Sequence, residues 1–194
     1  MKLHIACGTV YLKGYINIDL KLPGHKLVAG NSKLMIHNRT SFNNYYKRKV
    51  TRSDFMIGKH HEKNVVCDKF ADIRKLPYEE NTVDEILGVH IFEHFTFEEG
   101  NELLKYWYKL LKPNGFLKLY MPDVLGIIDL YHEDNDMDWC IRQLYGSQKN
   151  KFGIHKSGYT KQSLMKKMTD VGFKNVRILA NINDYPAFGM TGQK

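Results

Sequence analysis

The chain has no uninterrupted apolar run approaching about eighteen residues, which excludes a transmembrane helix. Cysteine is scarce: Cys7, Cys67 and Cys140 are odd in number and far apart. That usage does not form a disulfide framework and fits a reducing compartment, so a cytoplasmic location is expected. There is no complete G-x-G-x-x-G, so a pyrophosphate site on a long helix N-terminus is not expected. Repeats and low-complexity tracts are absent as well. Met1 to Ile5 includes Lys2 and His4 and has no apolar h-region, so it does not read as a signal peptide.

What is present is an ordinary globular composition. The 194 residues are 43% hydrophobic and 26% charged, which suits one domain over 1–194 with a single sizeable core. The net charge is +8, and it is not spread evenly. Residues 21–63 hold ten lysines and arginines against two acids, Asp54 and Glu62, while the remainder balances at 19 bases and 19 acids. The same segment carries His25, His37, His60 and His61. It reads as a basic insertion or lid, with a hairpin over Leu27 to Ile36, inside an otherwise neutral domain.

Strand and helix patterns alternate along the rest. Leu3 to Cys7 reads as a buried strand leaving through Gly8. Tyr15 to Asp19 alternates as a second strand, and Val65-Val66-Cys67 starts a third. Val83 to Val89 is a fourth. Phe97 to Leu111 has helical spacing and stops at Pro113-Asn114-Gly115, and Phe116 to Met121 follows as a fifth strand. Val124 to Leu144 reads as helix broken by the acidic stretch 133–138. Thr160 to Val171 reads as a helix capped by Thr160 and Gly172, with a late strand over Val176 to Leu179. This predicts an α/β fold with a Rossmann-like, mostly parallel sheet and flanking helices.

In such sheets ligands bind beyond the carboxyl ends of the strands. The first strand ends in Ala6-Cys7-Gly8, small residues that allow close approach to the backbone. The second ends in Asp19, a carboxylate able to accept from a ribose diol. Asp72, next to Ile73, suits an adenine amine and ring. Each has a plainer structural reading: a tight turn, a cap, a small hydrophobe for Cys7. Only about one helical turn fits between Gly8 and Gly14, so the first βα unit is shortened. A cofactor without pyrophosphate fits this opening.

The runs LHIACGTVYLKGYINIDL, ADIRKLPYEENTVDEILGVHIFEHF and LLKPNGFLKLYMPD resemble those of class I S-adenosylmethionine-dependent methyltransferases. The nearest group is the small methyltransferase type 11-like proteins with a shortened first loop and a second strand of the form G-Y-x-N-x-D. LYGSQKNKFGIHKSGYTKQSLMKKMTDVGFKNV is similar to their C-terminal part. The resemblance covers 2–19, 65–123 and about 140–180, and leaves 21–63 unexplained. His4 departs from the apolar residue or Asn often found in the first strand. The resemblance implies that Ala6, Cys7 and Gly8 line the methionine part of the cofactor. It implies that Asp19 binds the ribose, that Asp72 and Ile73 hold the adenine, and that His90 sits beside the cofactor. His94, Asp123 and His155 would face the acceptor.

For an activated sulfonium methyl the protein mainly positions a nucleophile in line, and a hydroxyl acceptor gains from a base such as His94 or His155. The plainer readings are structural histidines, and a helix N-cap for Asp123. Two rivals come from other classes. His90-Ile91-Phe92-Glu93-His94 spells the inverted zinc-peptidase signature H-x-x-E-H. A strand running into His90 would part its histidines, however, and no Glu follows Glu133 to act as third ligand, so no metal is assigned. The basic segment interleaves Phe42, Tyr45, Tyr46 and Phe55 with bases, a pattern suited to nucleic acid. The expected acceptor is a small or anionic molecule, with RNA as the alternative.

Overall fold

The computed structural model describes residues 1–8, 10–21, 67–134, 137–148, 150–182 and 185–194. Apart from Lys21, the basic segment 21–63 lies outside the described residues, and so do its expected hairpin and Val65-Val66. In chain order the elements are β1 (Lys2–Ile5), β2 (Ile16–Asp19), β3 (Lys69–Phe70) and β4 (Val83–Val89). A 3-10 turn (Phe92–His94), α1 (Phe97–Leu110), β5 (Leu111–Pro122), α2 (Val124–Asp134) and α3 (Met137–Tyr145) follow. The chain ends in α4 (Lys161–Val171), β6 (Lys174–Leu179) and β7 (Ala187–Gln193).

The strands form one seven-stranded sheet in the order β3-β2-β1-β4-β5-β7-β6. The first five in that order are parallel, and β7 runs antiparallel between β5 and β6. The sheet is therefore mostly parallel, as expected, with an antiparallel far side.

The shortened β1–β2 connection holds together through one side chain. A parallel pair usually needs a crossover of about a dozen residues or more. Here Asn17 on β2 does the bracing. Its Oδ1 accepts from Leu12 N at 2.9 Å, and its Nδ2 donates to Leu12 O at 3.0 Å and Tyr15 O at 3.1 Å. The same Nδ2 reaches Asp68 Oδ2 at 3.1 Å. Three acceptors around Nδ2 fix the amide orientation, so Oδ1 faces His4, its register partner on β1, at 2.9 Å. His4 is the partner of Asn17, which gives its polar character in a buried strand a structural purpose.

Helix α1 begins in a reciprocal capping box between Thr96 and Glu99 and ends with Lys109 in its last turn. Its Leu103, Leu104, Trp107 and Leu110 are buried against the sheet, because residues three and four apart share one face. Helix α4 starts at Thr160, capped with Ser163, and stops at Gly172, whose φ of 115° is one that glycine tolerates best. The main core gathers Leu3, Ile5, Ile86, Leu119 and Phe188 from the strands with Trp107 and Met168 from α1 and α4. All three cysteines are buried thiols outside any disulfide. No helix among the described residues is long and apolar enough to cross a membrane.

Candidate functional site

The carboxyl ends of β1, β2 and β4 meet at one edge. Beyond β1 the backbone turns with positive φ at Ala6 (51°) and Gly8 (55°). The Gly8 N–H donates to Asp19 Oδ2 at 2.6 Å, and Leu20 N–H donates to Asp19 Oδ1 at 2.6 Å. These charge-assisted bonds aim the carboxylate. Among the described residues, nothing lies within 4 Å of the place where a Cβ on Gly8 would stand. Open backbone beside an oriented carboxylate fits the sugar and chain of a nucleoside cofactor. Cys7 packs with Cys67 and Phe70. Its hydrogen bond with the Cys67 thiol, and then burial, push the Cys7 thiol well above its ordinary value, so it stays protonated.

Asp72 and Ile73, the expected adenine residues, follow β3. Asp72 accepts from Arg74 Nε at 3.0 Å and Nη2 at 2.6 Å, and that bond holds its carboxyl below the ordinary range. Ile73 is 7% exposed and packs in the main core, its carbonyl accepting from Trp107 Nε1 at 3.1 Å.

His90, one residue past β4, has a φ of 51°. Its Nδ1 lies 3.3 Å from Glu93 Oε1 and its Nε2 lies 3.0 Å from Tyr185 Oη. Because a carboxylate only accepts, the imidazole donates from Nδ1 and can accept from the phenol.

Four residues on, the 3-10 turn brings Glu93 and His94 against His155 from the α3–α4 connection. His94 Nδ1 lies 2.9 Å from Ile154 O, and His155 Nδ1 lies 3.0 Å from Gln143 O. A carbonyl cannot donate, so both Nδ1 atoms carry hydrogen and both Nε2 atoms present lone pairs when neutral. The two rings sit edge to face at 4.8 Å. Donor-capable atoms of Glu93, His94 and His155 lie within 4.8 Å of one another. Burial pushes His155 below its ordinary value, against the pull of Glu93. Burial also works to raise the Glu93 carboxyl, but the His90 hydrogen bond and the neighbouring histidines outweigh it and leave it lowered. Glu93 Oε2 is buried without a hydrogen-bond partner among the described residues.

The structure thus brings Ala6, Cys7, Gly8 and Asp19 together, with His90 at the adjacent strand end, and separately joins His94 to His155. Asp123 follows β5, and its Oδ2 lies 2.8 Å from Lys161 Nζ. The H-x-x-E-H histidines do straddle a strand end and a turn, and the third group drawn in is His155 rather than a glutamate. Sequence reading passed over Glu93 as a member of the acceptor side. Its signal was its place in the HIFEH run, one residue from His94. Gln143 and Tyr185 had no signal, since they arrive from distant segments.

Residues 40–119 match the family model for the methyltransferase domain. No curated protein matches the sequence. Among solved structures, an S-adenosylmethionine-dependent methyltransferase from Thermotoga maritima has a TM-score of 0.52 at 14% identity. The comparison covers 100% of this chain and 81% of that one. One from Archaeoglobus fulgidus has a TM-score of 0.53 at 15% identity, covering 100% and 85%. PigF with S-adenosylhomocysteine has a TM-score of 0.50 at 14% identity, covering 100% and 50%. These neighbours share the fold of this chain, and its segment 40–119 is similar to the methyltransferase domain.

Proposed function

We propose that the protein methylates an oxygen on a small, anionic acceptor held beside Glu93, His94 and His155. The observation that carries this is the pair of imidazoles fixed through Nδ1 beside a buried carboxylate, with His155 Nε2 4.0 Å from Glu93 Oε1. Ala6, Cys7 and Gly8 would hold the methionine part of the cofactor, Asp19 the ribose, and Asp72 with Ile73 the adenine, with His90 alongside. S-adenosylmethionine, when bound, supplies a methyl group already activated as a sulfonium.

The chain's own work is positioning and one proton. Fixing an acceptor in line lowers a bimolecular barrier by roughly 7–11 kcal/mol. An acceptor hydroxyl pointed at Nε2 of His94 or His155 gives its proton to that nitrogen, which later releases it to solvent. Asp123, tied to Lys161, would border the acceptor rather than take the proton. The basic segment 21–63 suits an acceptor with negative charge.

The test is methyl transfer from labelled cofactor into a metabolite extract and, separately, into RNA. His94→Ala and His155→Ala should keep cofactor binding in calorimetry and lose about a hundredfold or more of transfer. Undiminished transfer in both variants, or label found only in RNA, would overturn the reading.

A further inference from the structure

We propose that Glu93, His94 and His155 form a binding site for one divalent first-row transition-metal ion. Two imidazoles and a carboxylate that His90 already orients converge there. His94 and His155 spend their Nδ1 hydrogens on the carbonyls of Ile154 and Gln143. That is the outer-shell arrangement that orients imidazole ligands and leaves Nε2 for the ion. The carboxylate of Glu93 is 3% exposed, and its Oε2 has no hydrogen-bond partner among the described residues. A buried, unpaired carboxylate oxygen beside two lone pairs is costly unless a cation joins them.

The spacing fits a site that closes slightly on its ion. Metal bonds of about 2.0–2.2 Å set ligand atoms roughly 3–3.5 Å apart. The three donor atoms lie within 4.8 Å of one another, and His155 Nε2 is 4.0 Å from Glu93 Oε1. Contraction by about an ångström at the two rings completes the set. Beside Glu93 and His155 a cavity of about 10 Å³ reaches Ser157 and Tyr159, room for one further small ligand. Two imidazoles and one carboxylate favour ions such as zinc, cobalt or iron over magnesium and calcium, which prefer all-oxygen shells.

His90 is not a fourth ligand, because its two nitrogens already meet Glu93 and Tyr185. It orients Glu93 from behind. The site itself rests on geometry alone. Its consequence for methyl transfer rests on the proposed function. With both Nε2 atoms on the ion, the ion rather than an imidazole would take the acceptor oxygen and lower the pKa of its hydroxyl, so the proton would leave to solvent before the oxygen is methylated. The acceptor class is then an oxygen ligand for a metal, such as a hydroxyl next to a carboxylate or a second hydroxyl.

The experiment titrates cobalt(II) and zinc(II) into full-length protein stripped with a chelator. One ion per chain is expected, with ligand-field absorption for cobalt. Glu93→Gln, His94→Ala and His155→Ala should each weaken binding by roughly a hundredfold or more. Circular dichroism and cofactor calorimetry confirm that each variant is folded. Absence of stoichiometric uptake by the wild type would overturn the site. So would uptake that survives in all three variants, which would place the ion on other histidines such as those of 21–63. Cofactor binding and methyl transfer without metal uptake would sink the site and leave the proposed function standing. Stoichiometric uptake without any methyl transfer would do the reverse.

Discussion

His4 sets a pH limit on this fold. It is fully buried in β1, its neighbour Asn17 receives its Nδ1 hydrogen, and burial lowers its pKa from 6.5 to about 4. The Asn17 bond works the other way, favouring the charged ring, and loses. The folded pKa therefore lies below the unfolded one, and the unfolded chain binds the proton first. Stability is complete above pH about 6.5, falls as pH drops toward about 4, and then levels off. Between pH 7 and pH 4.5 this one group removes about 2 kcal/mol. His4→Gln offers an amide donor to Asn17 and cannot take the proton. Urea unfolding of both proteins across pH 7 to 4.5 isolates the contribution, since the other titrating groups are shared. The wild type should lose about 2 kcal/mol more than His4→Gln over that interval. Equal losses would mean that His4 is hydrated or protonated in the folded state, and the account of the β1–β2 brace would fail with it.

Asp19→Asn should weaken S-adenosylmethionine binding at least about tenfold in calorimetry, because a charge-assisted acceptor is lost. Unchanged affinity in a folded variant would remove Asp19 from the site. Gly146→Ala should cost about 2 kcal/mol or more. Its φ is +77°, and a Cβ there would stand 2.3 Å from Gly153 O and 2.9 Å from His155 Cδ2. Gly172→Ala meets nothing nearer than 3.5 Å and should cost only about 1 kcal/mol, so thermal unfolding that ranks the two the other way refutes the steric argument. Trp107→Phe leaves Ile73 O without its indole donor and opens a gap under α1. A loss of about 1.5–3 kcal/mol in urea is expected, and a loss within error would show the bond to be dispensable.

Local patterns carried most of the fold. The capping residues Thr160 and Gly172, the α1 stripe and the strand over 83–89 all follow from spacing and end signals within single segments. β7 was not legible. Ala187 to Gln193 holds two glycines and no alternation, and its strand character comes from being paired on both edges by β5 and β6. Those glycines answer to distant side chains: a Cβ on Gly189 would stand 2.4 Å from Tyr120, and one on Gly192 2.8 Å from Met168. A strand paired with β2 is described at Lys69–Phe70, and the expected start at Val65-Val66 lies outside the described residues. At the site, Asp19 and His94 were readable from motif position. Their partners were not, since the meeting of His94 with His155 spans a separation no local pattern encodes.

That meeting is built on the backbone of one residue. Glu93 O accepts from Lys156 N at 2.8 Å and Ser157 N at 3.2 Å, while the side chain of Glu93 faces the two histidines. Gly146 and Ile154 bridge just before, and Asp123 and Tyr159 bridge just after. The ring of Phe92, the residue before Glu93, packs 5.2 Å from that of Tyr159. The β4 exit and the α3–α4 connection are therefore fastened together on both sides of the cluster. A pair of imidazoles on two independent loops would drift by more than the ångström that chemistry tolerates. Here both are tied to one carboxylate residue, whose hydrogen bonds among the described residues run to His90, Lys156 and Ser157. The proposed cofactor and acceptor positions would then rest on separate supports on the same sheet edge. Variants at Glu93, His94 or His155 should for that reason leave cofactor affinity near the wild-type value, and variants at Asp19 should leave metal uptake near it. Coupled loss of both in folded protein would mean that the two supports are one.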